Sequence, residues 1–305
     1  MPKQTQERFD VHQHITDQIV AAMEAGAGQW QMPWHRSAHA LTRPKNIASR
    51  NAYRGINILS LWVAAEAQDF SCGLWGTYKQ WQEKGAQVRK GEKSTVIVFY
   101  RELERPRDDD PSETETVLFA RASSVFNAAQ VDGFTLPEGD AMPTEDRIEP
   151  VAAAEAFVAA TGARITIGGE RAFYRPSEDM IGMPDRPRFT GTDTLSPTEG
   201  WYGTLLHELT HWSGATHRLD RQLSARFGDD AYAIEELIAE LGAAFLCAEL
   251  GIAATPRPDH AAYLAGWLKV LKADKKAVFT AASAASRAAD YLGSLSAAEP
   301  AREAA

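Results

Sequence analysis

Cysteine is nearly absent from this chain: Cys72 and Cys247 are the only two in 305 residues. So sparse a set supports no disulfide framework, and the expected compartment is a reducing cytoplasm. Cys247 falls in an apolar helical stretch and is expected in the core. Apolar runs of membrane length are absent too, so neither a spanning helix nor a membrane partner is expected. The opening residues, MPKQTQERFDVHQHITDQ, are polar and hold no signal-peptide core. No internal repeat recurs, so a repeat architecture is not expected.

Charge is present but unevenly spread. The formal net charge is -9 at pH 7. Residues 1–101 carry 13 Lys and Arg against 8 Asp and Glu, a net of +5, whereas residues 102–305 carry 19 against 33, a net of -14. The acidic part does not attract a polyanion; the basic part does, and such asymmetry points to nucleic acid.

Periodicity predicts an amphipathic helix over 7–25, with Phe9, Ile15, Ile19, Ala22 and Met23 recurring at helical spacing before Gly26 and Gly28. Residues 29–49 read as loop. Further helices are predicted over 57–67 and 78–84. Thr95–Tyr100 (TVIVFY) reads as a strand with 115–124 as its partner and a solvated hairpin loop between them. Residues 131–150, rich in Pro, Gly and acids, read as an interdomain linker. A helix over 151–160, a strand over 164–167 and an edge strand at Met180–Met183 follow. Residues 261–292 read as helix and 293–305 as a disordered tail.

The strongest chemical signal is His207-Glu208-Leu209-Thr210-His211. Two histidines four residues apart share one helical face and can reach a single metal. Ser196, Pro197 and Glu199 form a Ser-x-x-Glu start with proline at the first helical position, and Gly214 is a stop signal. The motif therefore sits at the end of a capped helix. A catalytic site needs a third protein ligand and a position for water. The apolar stretch Tyr232–Leu250 contains Glu235, Glu236 and Glu240, and buried carboxylates are costly unless paired or metal-bound. Glu236 is the preferred third ligand, with Glu240 accepting from a ligand imidazole; the reverse assignment stays open, and Glu235 is the weakest choice. In this reading Zn2+ is held by His207, His211 and Glu236, with Glu208 as general base. Tyr232, His217 and Arg218 are candidate oxyanion donors. Met180–Met183 could align a peptide by strand pairing.

The basic half is also aromatic. Five of the eight Trp lie between residues 30 and 81: Trp30, Trp34, Trp62, Trp75 and Trp81. Between residues 30 and 101 there are 11 basic and 4 acidic residues. Stacking faces within a basic groove are what single-strand binding needs. The DNA-binding candidates are Arg50, Tyr53, Arg54, Trp75, Tyr78, Lys79, Trp81, Arg89, Lys90 and Lys93. Trp62, inside an apolar helix, is expected in the core.

Longer motifs carry a family resemblance. Asn51-Ala52-Tyr53-Arg54-Gly55-Ile56-Asn57 and the stretch Trp75–Tyr100 resemble the single-stranded-DNA-binding domain of the ArdC antirestriction proteins of conjugative plasmids, a domain also found in plasmid primase-type proteins. Tyr202–Arg221 and Glu235–Ile252 resemble that family's zincin-like metallopeptidase domain. The resemblance implies an α+β protein of two domains: an N-terminal α/β single-stranded-DNA-binding domain (1–130) and, after a linker (131–150), a zincin-like domain (151–292). It implies protection of incoming plasmid DNA from host restriction during conjugation, and its gluzincin-like ligand helix supports Glu236. A restriction-system or other DNA-bound protein is the implied peptidase substrate. Two rival readings fit the same residues. One is a protease of DNA-bound proteins; the other is a strand-coating protein whose zinc is structural.

Overall fold

The computed structural model describes residues 9–26, 43–70, 72–106, 114–135, 149–189, 196–221, 230–252 and 260–297. Helix α1 (Val11–Gly26) buries Val11, Ile15, Ile19 and Met23, the apolar face that the 3.6-residue period aligns. Helix α2 (Ile56–Ala67) is apolar almost all round and is correspondingly buried along most of its length. The main sheet has the order β1-β2-β5-β4, built from Lys45–Asn46, Leu74–Gly76, Thr114–Asn127 and Thr95–Pro106 respectively. Strand β1 runs parallel to β2; the other pairs are antiparallel. The β4–β5 ladder runs in unbroken register from Thr95 opposite Val125 to Pro106 opposite Thr114.

Among the described residues the outer edge of β4 has no neighbouring strand, and α2 covers it. Asn57 donates Nδ2 to Val98 O and accepts from Val98 N, both at 2.8 Å, while Ser60 Oγ donates to Val96 O at 2.8 Å. A helix thereby satisfies the edge backbone that would otherwise pair with another chain. The short helix α3 (Tyr78–Glu83) starts on a Thr77–Gln80 capping box and precedes β3 (Gln87–Val88), which pairs with β6 (Val131–Asp132).

Helix α4 (Glu149–Ala160) leads into a three-stranded sheet of order β7-β9-β8, built from Arg164–Ile167, Met180–Met183 and Phe173–Arg175. Four helices follow: α5 (Pro197–Ser213), α6 (Asp230–Leu250), α7 (His260–Ala273) and α8 (Ala277–Ala297). The α5–α6 crossing is close enough to require glycine at 242, where a Cβ would lie 2.5 Å from Thr210 Cγ2. Alanines 281, 282, 285 and 289 of α8, all fully buried, let it pack tightly in the same core.

The two halves share one apolar core, which runs from Ile15, Trp62 and Trp75 to Leu205, Phe245 and Trp267. Trp62 and Phe245 meet across it with ring centroids 5.7 Å apart. Polar ties flank this junction: Gly55 N donates to Ser286 Oγ at 2.8 Å, and Arg54 pairs with Asp290 at 2.8 Å. Cys247 is buried, as its apolar setting predicts.

Several expectations need correction. Met180–Met183 is the middle strand, parallel to β7 and antiparallel to β8, not an edge. Its uncharged residues suit two-sided pairing, whereas the flanking strands carry Arg164 and Arg175. Peptide pairing by Met180–Met183 is thus excluded by its own neighbours. In the expected linker, Val131–Asp132 is a strand and Glu149 already opens α4; residues 136–148 lie outside the described residues. The 261–292 stretch is two helices, divided where Asp274 Oδ1 accepts from Lys276 N at 2.8 Å. Helix α8 runs on to Ala297, so the first part of the expected tail is ordered helix, and 298–305 lie outside the described residues.

Candidate metal centre and nucleic-acid face

Helix α5 delivers the histidine motif. Ser196 Oγ accepts from Glu199 N at 3.2 Å and Glu199 Oε2 accepts from Ser196 N at 2.9 Å, closing the capping box that the sequence shows. Beginning eleven residues after the Ser196 cap, the helix presents His207, Glu208 and His211 to α6. His207 and Glu208 are buried, and His211 is nearly so.

Three side chains converge. His207 Nε2 and His211 Nε2 are 3.1 Å apart. Glu236 places Oε2 3.6 Å from His207 Nε2 and Oε1 3.5 Å from His211 Nε2. One donor atom from each of His207, His211 and Glu236 lies within 4.8 Å of the others, and this is the metal-capable cluster among the described residues. Such donors, facing one another in a buried place, suit a positive charge between them. The donor set, two imidazoles and a carboxylate, is that of a three-ligand cation site.

The surroundings orient these groups. Glu235 Oε1 accepts from His211 Nδ1 at 3.0 Å, which leaves Nε2 turned to the cluster. Glu240 lies 3.5 Å from His207 Nδ1, an atom that is buried and without a hydrogen bond. Burial pushes the Glu236 carboxyl up, but the hydrogen bond and charge of His207, the charge of His211 and the Tyr232 hydroxyl outweigh it, and its pKa falls to about 2. Burial disfavours a charged His211, yet the Glu235 hydrogen bond and the charges of Glu236, Glu235 and Glu208 raise its pKa.

Glu236, Glu235 and Glu240 therefore hold three different places. The first turns into the cluster, and the others lie behind one histidine each. Sequence reasoning assigned the imidazole-accepting place to Glu240 alone and gave Glu235 none; its fixed position before Glu236 on the helix was the available signal. Of the oxyanion candidates, Tyr232 bonds Glu236. Arg218 forks onto Asp179 at 2.9 and 2.6 Å and stacks 3.4 Å over the Trp212 ring. His217 is exposed, 3.5 Å from the same Asp179.

The DNA-binding candidates separate into two groups. Trp75, Trp81 and Tyr53 are buried, with exposures of 1, 0 and 6%. Trp81 Nε1 donates to Phe126 O at 3.0 Å and its ring meets Phe134 edge-on; Trp75 meets Phe70 likewise. Rings enclosed on both faces offer no platform to a base, so these three hold the fold. Arg50, Arg54, Tyr78, Lys79, Arg89, Lys90 and Lys93 are exposed. Arg54 pairs with Asp290, Arg89 pairs with Glu92 and Asp132, and Lys79 sits 3.7 Å from Glu83. Lys90 and Lys93 flank Gly91, whose φ of 93° makes the turn. Phe99 and Tyr100, not among the candidates, are half-exposed on β4. Trp30 and Trp34 lie outside the described residues.

Comparison with known proteins finds relatives for both halves of the chain. Residues 9–126 match the family model described as the N-terminal domain of anti-restriction factor ArdC, and residues 152–284 match a zincin-like metallopeptidase model. The chain is 49% identical to the protein y4eC of Sinorhizobium fredii (strain NBRC 101917 / NGR234), over 93% of this chain and 91% of that one. It is 37% identical to the DNA primase TraC of Escherichia coli over 92% of its own length, but spans only 27% of the primase. The metal-free crystal structure of antirestriction ArdC from plasmid R388 superposes with a TM-score of 0.77 at 40% identity, covering 95% of this chain and 98% of that one. The Mn(II)-bound form gives 0.75 at 39% identity, over 95% and 100%. Together with its two-domain architecture and its zincin-like metal helix, these likenesses show that the chain belongs to the ArdC antirestriction family.

Proposed function

We propose that this protein binds single-stranded DNA through its N-terminal half and carries a zinc metallopeptidase site, and that it protects incoming plasmid DNA from host restriction. The observation that carries the metal site is the convergence of His207, His211 and Glu236, each with a donor atom within 4.8 Å of the others. The zincin-like domain supports a divalent cation, and the Mn(II) of the R388 relative is one such ion. Two imidazoles and one carboxylate also suit zinc, which takes the same donors and leaves a fourth position open. A cation held there acidifies water and polarises a carbonyl.

The chain's own groups do the rest. His207, His211 and Glu236 hold the ion. Glu208, buried next to His207 on the same helix, is the general base that takes a proton from water and returns it to the leaving amine. DNA binding rests on the exposed set Arg50, Arg54, Tyr78, Lys79, Arg89, Lys90 and Lys93. These cations neutralise phosphates, and Tyr78 offers a ring face. No helix of the described residues is long and apolar enough to cross a membrane.

Fluorescence anisotropy of labelled single- and double-stranded oligonucleotides, titrated with the full chain at two salt concentrations, tests the DNA reading. Preferential, salt-sensitive binding to single strands is expected; equal or absent binding overturns it. Glu208→Ala tests the peptidase reading. The variant is expected to retain metal and DNA and to lose protection against restriction. Full protection by the variant would leave strand coating as the mechanism.

A further inference from the structure

Arg221 is a cation placed almost out of solvent, 10% exposed, beyond the turn that ends the metal helix. That turn folds back on α5: Arg221 N donates to Gly214 O at 2.8 Å, Leu219 N to Ser213 O at 3.1 Å and Asp220 N to Ala215 O at 3.0 Å. Asp220 takes a φ of 47° to allow it, a conformation that Asp tolerates better than most residues.

All three guanidinium nitrogens donate hydrogen bonds. Nε donates to Glu235 Oε2 at 3.1 Å and Nη2 to Glu235 Oε1 at 3.0 Å, a two-pronged grip on the carboxylate. Nη1 donates to Ser213 Oγ at 3.0 Å and Nη2 also to Thr210 O at 2.5 Å, both at the end of α5. Glu235 Oε1 is the same atom that accepts from His211 Nδ1. Guanidinium, carboxylate and imidazole thus form a chain that ends on one of the three clustered donors. His207 differs, for its Nδ1 has no hydrogen bond.

We infer that Arg221 is a positioning residue for the metal site: it clamps Glu235, and Glu235 fixes His211 with its proton on Nδ1 and Nε2 facing the cluster. The inference rests on the metal reading above. A carboxylate held only by the imidazole could rotate about its last bond; the fork pins both oxygens. The same guanidinium ties Glu235 on α6 to Thr210 and Ser213 on α5, so it also sets the distance between the helices that supply the donors. Histidine ligands depend on such outer partners, whose loss weakens metal binding by roughly 10–100-fold.

The test is a double-mutant cycle read as affinity for Mn(II) and Zn(II) alone, by competition with a chromophoric chelator, on full-length Arg221→Ala, Glu235→Ala and the double variant. Melting of each metal-free protein reports on folding. Glu235→Ala is expected to weaken metal binding by about 10–100-fold. Arg221→Ala should lose about tenfold, and the double variant no more than Glu235→Ala alone, because Arg221 acts through Glu235. Glu235→Gln keeps the side-chain volume and one acceptor oxygen but loses the charge that the Arg221 fork grips; it should recover only part of the loss, whereas a mere packing role predicts full recovery. Unchanged affinity in Arg221→Ala, or losses that simply add, overturns the inference. Should Arg221→Ala fail to fold, Arg221→Lys replaces it, keeping charge without the fork and expected to show the same coupled loss. Failure of the metal reading looks different: the unsubstituted protein would then show no metal-dependent signal to compare, or His207→Ala would bind metal as tightly as the unsubstituted protein does.

Discussion

Two regions of this molecule bury polar groups, and they do so for different ends. In the sheet half, the buried polar side chains answer the backbone. Asn57 caps the open edge of β4, Asn127 donates to Cys72 O at 2.7 Å, and Gln130 donates to Lys93 O at 2.9 Å. In the α5–α6 pair, the buried side chains answer one another. Glu235 faces His211, Glu236 faces both histidines, and Arg221 closes the set. Buried amides that satisfy strand edges are a requirement of the fold. Buried acids and imidazoles that converge on a common point cost stability, and a protein that keeps them has another use for them.

That contrast can be broken at either end. The largest effect is expected for His207→Ala, which removes one of the three proposed ligands. Metal affinity should fall by more than ~100-fold, beyond the range of outer-partner losses; metal content after dialysis measures it, and retained stoichiometric metal would sink the ligand assignment. Next comes Trp81→Ala in the sheet half. Its fully buried ring should cost about 3–5 kcal/mol in denaturant unfolding. A small stability change with a large loss of DNA affinity would return Trp81 to the binding face. Gly242→Ala probes the crossing between the two helices, where the added methyl meets Thr210. A cost of about 1–3 kcal/mol is expected from overpacking, with weaker metal binding because the donor helices are pushed apart.

Smaller effects sharpen the other side. Lys90→Gln and Lys93→Gln should leave stability within about 0.5 kcal/mol and lower the salt dependence of DNA binding by about one per phosphate contact removed. An unchanged salt slope would exclude the Gly91 turn from the DNA face. The smallest effect concerns Asp179, whose carboxyl the Arg218 hydrogen bond, aided by Tyr174, holds below the usual carboxylate range. A lowered pKa contributes stability above the unfolded value that is lost as pH falls through the folded one. Asp179→Asn should therefore lower the melting temperature slightly at neutral pH, and the difference should vanish in acid. A difference that persists in acid would point to packing instead.

The metal helix was legible in the sequence because its information is local. A capping box, a four-residue histidine spacing and a stop glycine act through one helix's own geometry, and α5 carries all three. The long β4–β5 pair was legible for the same reason. Lys45–Asn46, Leu74–Gly76 and Phe173–Arg175 were not, since strands of two or three residues are too short to show a period. Met180–Met183 was recognised as a strand but misplaced, because sheet order is set by partners distant in sequence.

By itself, then, the sequence determined which helix bears the histidines, since helical spacing fixes it, and pointed to an acid-bearing apolar helix as its counterpart, since buried carboxylates need partners. Tertiary structure alone decided the division of labour among Glu235, Glu236 and Glu240, the recruitment of Arg221, and which aromatics were interior. Those outcomes depend on which elements pack face to face. A tryptophan reads the same in a sequence whether its ring meets another side chain or solvent.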